Sequence, residues 1–247
     1  AIGFMVLFSL VTLGIALVSL YGYPVLMQQQ TSAHERNMEQ TMIVLQNDIK
    51  SLCYKNVPFK ETSLSVGGGS LYAHNSGALE HPSQTFTVSY PPGREIIQDF
   101  KPGELIYESD AGDAMLIIEN GAVIKKQEDQ SGSVMLAEPR WFYDNDTKTL
   151  VINNIEITAD GVLSRTGVGV VWMQVSSPEY NETEIDVGDT VEIEYKPAPG
   201  KFDYSTAWRN FLTGSSLEMV PAGSNKYRLD GVQKLIVKTY SINILSL

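Results

Sequence analysis

Hydrophobic and polar positions divide the chain into three stretches with different periods. The first reads AIGFMVLFSLVTLGIALVSLYGYPVLM over residues 1–27, and its only polar side chains are the hydroxyls of Ser9, Thr12, Ser19, Tyr21 and Tyr23. No Asp, Glu, Lys or Arg occurs before Glu35. Apolar residues fall on every face, which predicts a helix with no watery side, about 40 Å long and able to cross the hydrocarbon core of a bilayer. Within it, Pro24 has no N–H for the carbonyl of Leu20, and its ring crowds that carbonyl. With Gly22 beside it, a kink or local loosening is expected over residues 20–24. In the second stretch Met38, Met42, Leu45, Ile49 and Leu52 recur at spacings of 4, 3, 4 and 3. That is one stripe of an amphipathic helix, predicted to pack on a following domain and to end near Asn56 and Pro58.

Beyond residue 60 the period becomes two. Phe86, Val88 and Tyr90 alternate with Thr85, Thr87 and Ser89, and Val191, Ile193 and Tyr195 alternate with Glu192, Glu194 and Lys196. Both runs predict half-buried strands. Asn120-Gly121 between Met115–Glu119 and Ala122–Lys126 predicts a two-residue hairpin. Leu150–Ile157 and Val168–Val175 are further strand candidates, and Leu235–Ile244, apolar on both faces, is expected at the centre of a sheet. Thr206–Leu212 reads as a short helix, and Gly67-Gly68-Gly69-Ser70 as a turn or bulge between strands. The expected fold is α+β: a long apolar helix (residues 1–55), then a mostly antiparallel β-sandwich or open barrel of ten or more strands (56–247). A fragment beginning near Asn56 is expected to fold by itself without polymerising.

Composition narrows the partners. A net charge of −11 argues against nucleic acid, which requires basic patches. A single cysteine, Cys53, allows no internal disulfide and no multi-cysteine metal site. It is expected to be a small buried apolar residue on the helix.

Three origins of the apolar segment compete. A secretory signal peptide would carry a basic n-region and a small-residue cleavage motif. A plain anchor would keep flanking Lys or Arg on the cytoplasmic side. A segment already cut from a short basic leader would start, as this one does, with the apolar run at Ala1, and that reading is preferred. The start AIGFMVLFSLVTLGIALVSL resembles the mature N-termini of archaeal type IV pilins and archaellins, over roughly the first 55 residues. Met5 stands where bacterial type IV pilins carry a glutamate, which favours the archaeal branch, whereas Gly22-Tyr23-Pro24-Val25-Leu26 departs from an archaellin. The resemblance implies a subunit held in the cytoplasmic membrane before assembly and afterwards packed, helix against helix, into the core of an extracellular helical homopolymer used for adhesion or motility. The core contacts would come from Ile2, Gly3, Phe4, Met5, Leu7, Phe8, Leu10, Thr12, Leu13, Gly14, Ala16 and Leu17, small residues permitting close approach and large ones burying area.

No catalytic set emerges. His34, His74 and His81 lack neighbours at metal-ligand spacing. The glycine run has no following Lys of a phosphate loop, and no Gly-x-Ser-x-Gly occurs. The acidic turns Glu108–Asp113 and Asp144–Asp146 do not form calcium loops. No cofactor or metal is therefore expected, and the chain is not expected to be an enzyme. Asn145-Asp146-Thr147 and Asn181-Glu182-Thr183 are acceptor triplets for N-linked glycans in polar contexts. Two other classes stay open: a membrane-anchored surface protein or adhesin that does not polymerise, and a tethered extracellular enzyme.

Overall fold

The computed structural model of the chain describes residues 2–55, 57–76, 84–90, 94–112, 114–127, 132–161, 163–176 and 181–247, with the backbone alone for 181–189. One continuous helical rod of 53 residues, Ile2–Tyr54, opens the fold; at 1.5 Å per residue it is about 80 Å long. It comprises α1 (Ile2–Leu17), a π-helical turn (Val18–Gly22) and α2 (Tyr23–Tyr54). The loosening expected over residues 20–24 takes the form of this π turn and lies just before Pro24. The Tyr23 amide reaches back to the Val18 carbonyl, one residue further than in an α-helix. The wider turn accommodates the missing N–H and bulky ring of Pro24, which occupies the first turn of α2, where a proline is tolerated.

Thirteen strands follow among the described residues: β1 (Phe59–His74), β2 (Thr85–Ser89), β3 (Glu95–Phe100), β4 (Glu104–Ser109), β5 (Met115–Glu119), β6 (Ala122–Lys126), β7 (Ser133–Ala137), β8 (Phe142–Asp144), β9 (Thr149–Ala159), β10 (Leu163–Val175), β11 (Asn181–Lys196), β12 (Val220–Gly223) and β13 (Lys226–Ser246). A short helix, α3 (Ser205–Leu212), lies between β11 and β12. The main sheet path runs β3-β2-β11-β13-β10-β1-β4-β5-β6-β7; β12 and β9 pair with β13, and β8 with β9. The sheet is open, and its pairings are antiparallel except that β9 runs parallel to β13 over Lys234–Ile244. Strand β13 is thus the spine. Its first half pairs with β11, its later part with β9 and its end with β10.

The sheet curls so that β2 and β11 face β4–β6, which creates two cores on its two sides. Phe86, Trp141, Tyr195, Trp208 and Phe211 lead the first. The ring centroids of Phe86 and Trp208 are 4.7 Å apart, edge to face. The second core lies under α2 and joins Met38, Met42, Leu45, Ile49 and Leu52 to Leu64, Leu105, Leu116, Ile155, Val171, Ile242 and Ile244. The five stripe residues are between 0 % and 2 % exposed. In β13, Leu235 and Val237 enter the first core while Ile242 and Ile244 enter the second. This is why the strand is apolar on both faces.

Asn120 and Gly121 both have positive φ, 47° and 77°, as a two-residue type I′ hairpin requires. The turn is buried beneath α2. Gln46, 1 % exposed, donates to the Gly121 carbonyl at 2.6 Å, and Asn120 Oδ1 accepts the Ile155 amide at 2.8 Å. Gln46 also donates to Glu138 O at 3.1 Å, beside the end of edge strand β7.

Two strand-level expectations change. Thr87 and Ser89 are buried together with Phe86 and Val88, because β2 is flanked by β3 and β11 and long side chains such as Glu192, Glu194 and Lys226 close over its outer face. The glycine run lies inside β1, not between strands, at a register irregularity between Val66 and Leu71.

Met42 packs entirely inside the second core, so Met42→Ala should lower unfolding stability by about 2–5 kcal/mol. Val44→Ala, on the solvent side of the same helix at 49 % exposure, should change it by less than about 0.5 kcal/mol. Chemical denaturation of both variants checks this; equal effects would remove α2 from the cooperative core.

Candidate functional site

The most distinctive surface is the helix itself. From Ile2 to Met27, eighteen large apolar side chains are exposed, from 46 % at Met27 to 81 % at Ile2, and no residue of α1 is buried. The helix is long and apolar enough to cross a membrane. Fully burying one such side chain is worth roughly 1.5–3 kcal/mol, so covering the segment is worth tens of kcal/mol. An exposed apolar surface of that size suits lipid or protein surroundings better than water. Its polar groups are compatible with lipid or protein. The Ser9 hydroxyl donates to the Met5 carbonyl and that of Thr12 to the Phe8 carbonyl, both at 2.8 Å, so neither needs an outside partner. A Cβ built on Gly3 or Gly14 would meet nothing within 4 Å, so both glycines are open notches in the rod. All the candidate core-packing residues thus lie on the exposed rod, where within one chain they touch no part of the β-domain. Tyr21 and Tyr23, 72 % and 64 % exposed, mark its domain-proximal end.

Where the rod meets the domain, sequence reasoning missed the reason for the glycine run. His34, on the helix, lies against Gly67 and Gly68. A Cβ at Gly67 would fall 2.4 Å from His34 Nδ1, and Gly68 has φ +63° and faces His34 Cβ at 3.3 Å. The ring of the exposed His34 can move aside, whereas a Cβ at Gly69 would fall 2.3 Å from the Glu108 backbone carbonyl on β4, so it is the approach of β1 to β4 that requires glycine. Lys125 on β6 pairs with Glu39 at 2.7 Å and Glu35 at 3.5 Å, and Lys60 on β1 pairs with Asp48 at 3.2 Å. The apolar stripe supplies the energy of the seat, and these partly exposed pairs fix its register.

The remaining candidates have structural roles. His74 packs against Tyr72, with ring centroids 5.0 Å apart and the planes tilted by 53°; His81 lies outside the described residues, as does Asp113. Glu108 accepts from the Tyr72 hydroxyl at 2.7 Å and pairs with Lys201 at 2.7 Å, so its carboxylate is engaged within the domain. The Asp144 carboxylate accepts the Asp146 amide and the Thr147 hydroxyl, each at 2.9 Å, closing the β8–β9 turn and lowering the pKa of Asp144. Asn145 is exposed on that turn. Asn181 opens β11, and its side chain lies outside the described residues. Among the described residues no group of three or more His, Cys, Asp or Glu side chains is placed to hold a metal ion. Cys53 is half-buried, and burial pushes its thiol up to about 12.

Two features had no signal in the sequence. Glu104 and Glu119, directly opposite on β4 and β5, are both buried in the domain, 3 % and 0 % exposed. Gln84 donates to Glu104, and Trp208 Nε1 donates to Glu119 at 3.2 Å. Burial pushes the Glu104 carboxyl up to about 8; burial and the neighbouring Glu104 push Glu119 well above the carboxylate range. The second feature is a groove of about 970 Å³ at the C-terminal end of α2, between Tyr54, Val57 and Phe142 and the strands β9 and β13.

The chain belongs to DUF7289, a family of unknown function, whose model matches residues 1–244 and so spans the apolar helix and the β-domain alike. No curated protein and no solved structure matches it.

The carboxyl pair makes stability pH-dependent. Its folded pKa values lie above the ordinary 4.5, so protons are held more tightly folded than unfolded. The contribution is complete below about pH 4.5 and is lost as pH rises through about 8. Thermal unfolding of Glu104→Gln across pH 5–9 should show a shallower loss of stability toward alkaline pH than the parent; parallel curves would mean the pair is not held protonated.

Proposed function

We propose that the chain is the structural subunit of an extracellular, type IV pilus-like filament of the archaeal kind, polymerising through its apolar N-terminal helix and serving surface adhesion or motility. The observation that carries this reading is a rod of apolar side chains standing clear of a well-packed domain, open on every face. A rod apolar all round suits a bundle with neighbours on all sides, and the notches at Gly3 and Gly14 suit close helix–helix approach. Before assembly the same segment would reside in the cytoplasmic membrane. Repetition of one heterologous contact then generates a helical array. On the outside of such an array the exposed turn at Asn145 would carry an N-linked glycan, as would Asn181. The acidic surface, at −11 for the chain, suits a partner that is neither nucleic acid nor an anionic membrane.

A second reading, a membrane-anchored surface protein that does not polymerise, draws on Tyr21 and Tyr23, which sit where interfacial aromatics anchor a spanning helix. The two readings differ in what Gly14 is for. In an anchor it faces lipid and tolerates any apolar residue; in a bundle it must stay small.

Cryo-electron microscopy of filaments sheared from the native cell surface should trace this sequence, with the rod inside and the β-domain outside. Confinement of the protein to the membrane fraction would favour the anchor. Gly14→Arg, which creates no clash within the chain, should reduce filament yield at least tenfold while the domain stays folded. Gly14→Leu, as apolar as its surroundings, should insert in membranes yet assemble poorly; normal filaments from it would refute the bundle. A fragment from Asn56, expected to fold by itself, would lose the whole α2 stripe and open the second core. The soluble fragment must begin near Gln28, and residues 28–247 should stay monomeric in sedimentation at concentrations where the full chain polymerises.

A further inference from the structure

The stripe that seats α2 on the sheet has a counterpart on the opposite side of the same helix. Ala33, Asn37, Gln40, Val44, Asn47 and Ser51 recur at spacings of 4, 3, 4, 3 and 4, a heptad seam. All are exposed except Ser51, which is half-buried. Below Ala33 the same repeat runs on through Gln30 and Leu26 into the exposed apolar rod. The seam carries no charge. The charged residues of α2 lie to its sides, where most engage the domain: Glu35 and Glu39 pair with Lys125, Asp48 pairs with Lys60, and Lys50 donates to the Glu138 carbonyl at 3.0 Å. Arg36, also exposed, borders the seam near its lower end. A helix that meets solvent ordinarily carries charged residues opposite its apolar stripe. This one presents carboxamides and a valine instead.

We infer that the outer seam of α2 packs against the same helix of a second copy, parallel to it, so that helix–helix contact extends above the apolar rod as far as Ser51. The inference rests on the filament reading. The domain occupies the opposite side of α2, so with domains outside the seam is turned toward the bundle. The seam continues the rod on one helix, and a parallel helix that covers the rod is led onto it. Lipid is a poor cover, because Asn37, Gln40 and Asn47 would be buried there unpaired. A second copy is a good one: each carboxamide holds both donors and an acceptor, so carboxamides pair with one another. Polar residues in a heptad seam also restrict the offset at which two helices fit. With the copies displaced along the axis, the contact is heterologous, as an open helical polymer requires.

The full-length chain is dispersed in detergent and assembled by removing it. Val44→Lys and Asn47→Lys, at exposed positions, should leave thermal unfolding unchanged but raise the concentration needed for assembly at least tenfold. Ser224→Lys, which adds the same charge on the exposed turn before β13, should assemble at the parent concentration. In the map of parent filaments, Val44 and Asn47 should lie about 4 Å from a neighbouring helix. Filaments in which both residues face solvent, assembly of Val44→Lys at the parent concentration, or an equal loss with Ser224→Lys overturns the seam while leaving the rod bundle intact. A parent chain that forms no filaments removes the filament reading and the seam with it.

Discussion

Everything in this fold is arranged around one unresolved burial. Eighteen large apolar side chains project from the packed domain, and nothing among the described residues covers them. The free energy at stake is tens of kcal/mol by area. The segment therefore dictates the protein's surroundings: lipid, copies of the same helix, or each in turn. Since the Ser9 and Thr12 hydroxyls are satisfied within the helix and no Asp, Glu, Lys or Arg precedes Glu35, transfer of α1 between lipid and a protein bundle would leave neither hydroxyl without a partner and no charge to bury.

A rod can organise a polymer only if its direction is fixed relative to the domain, and the second core does this. The stripe from Met38 to Leu52 is interior on one side of the sheet, while β13 and β4–β6 contribute alternate residues to the first core on the other. Tilting α2 would disturb packing on both sides at once, since close-packed interiors do not deform piecemeal. The ion pairs of Lys125 with Glu35 and Glu39 and of Lys60 with Asp48 work in the same sense, tying the helix to β6 and β1. The π turn at Val18–Gly22 lies outside this clamp, which makes it the place where the rod can adjust to neighbours without straining the domain.

The strongly periodic parts of this architecture were legible in the sequence. The 4-3-4-3 stripe, the Asn120-Gly121 hairpin, the alternation at Val191–Tyr195 and the two-faced run of β13 each follow from local periodicity, and the structure realises each. What escaped were features created by distant chain segments meeting. The burial of Thr87 and Ser89 depends on β3 and β11; the glycine run answers to the Glu108 carbonyl of β4, which leaves no room for a Cβ at Gly69; the Glu104–Glu119 pair exists only because β4 and β5 place the two residues opposite each other. The groove at the end of α2 is likewise invisible in one dimension, since its walls come from the helix end, β8, β9, β10 and β13. The apolar rod was legible as a helix, but what covers it lies outside the single chain.

Charge sets the terms on which such chains can meet. Copies at −11 repel one another, yet at physiological ionic strength that repulsion is screened beyond about 8 Å, so only groups near a contact matter. Burial along the rods is short-ranged, unscreened and far larger, and on the filament reading it dominates once two rods touch. Rod burial alone, however, does not specify a register, because a helix apolar on every face offers many near-equivalent packings. On that reading register comes from small-residue notches such as Gly3 and Gly14, which a closely approaching neighbour can fill.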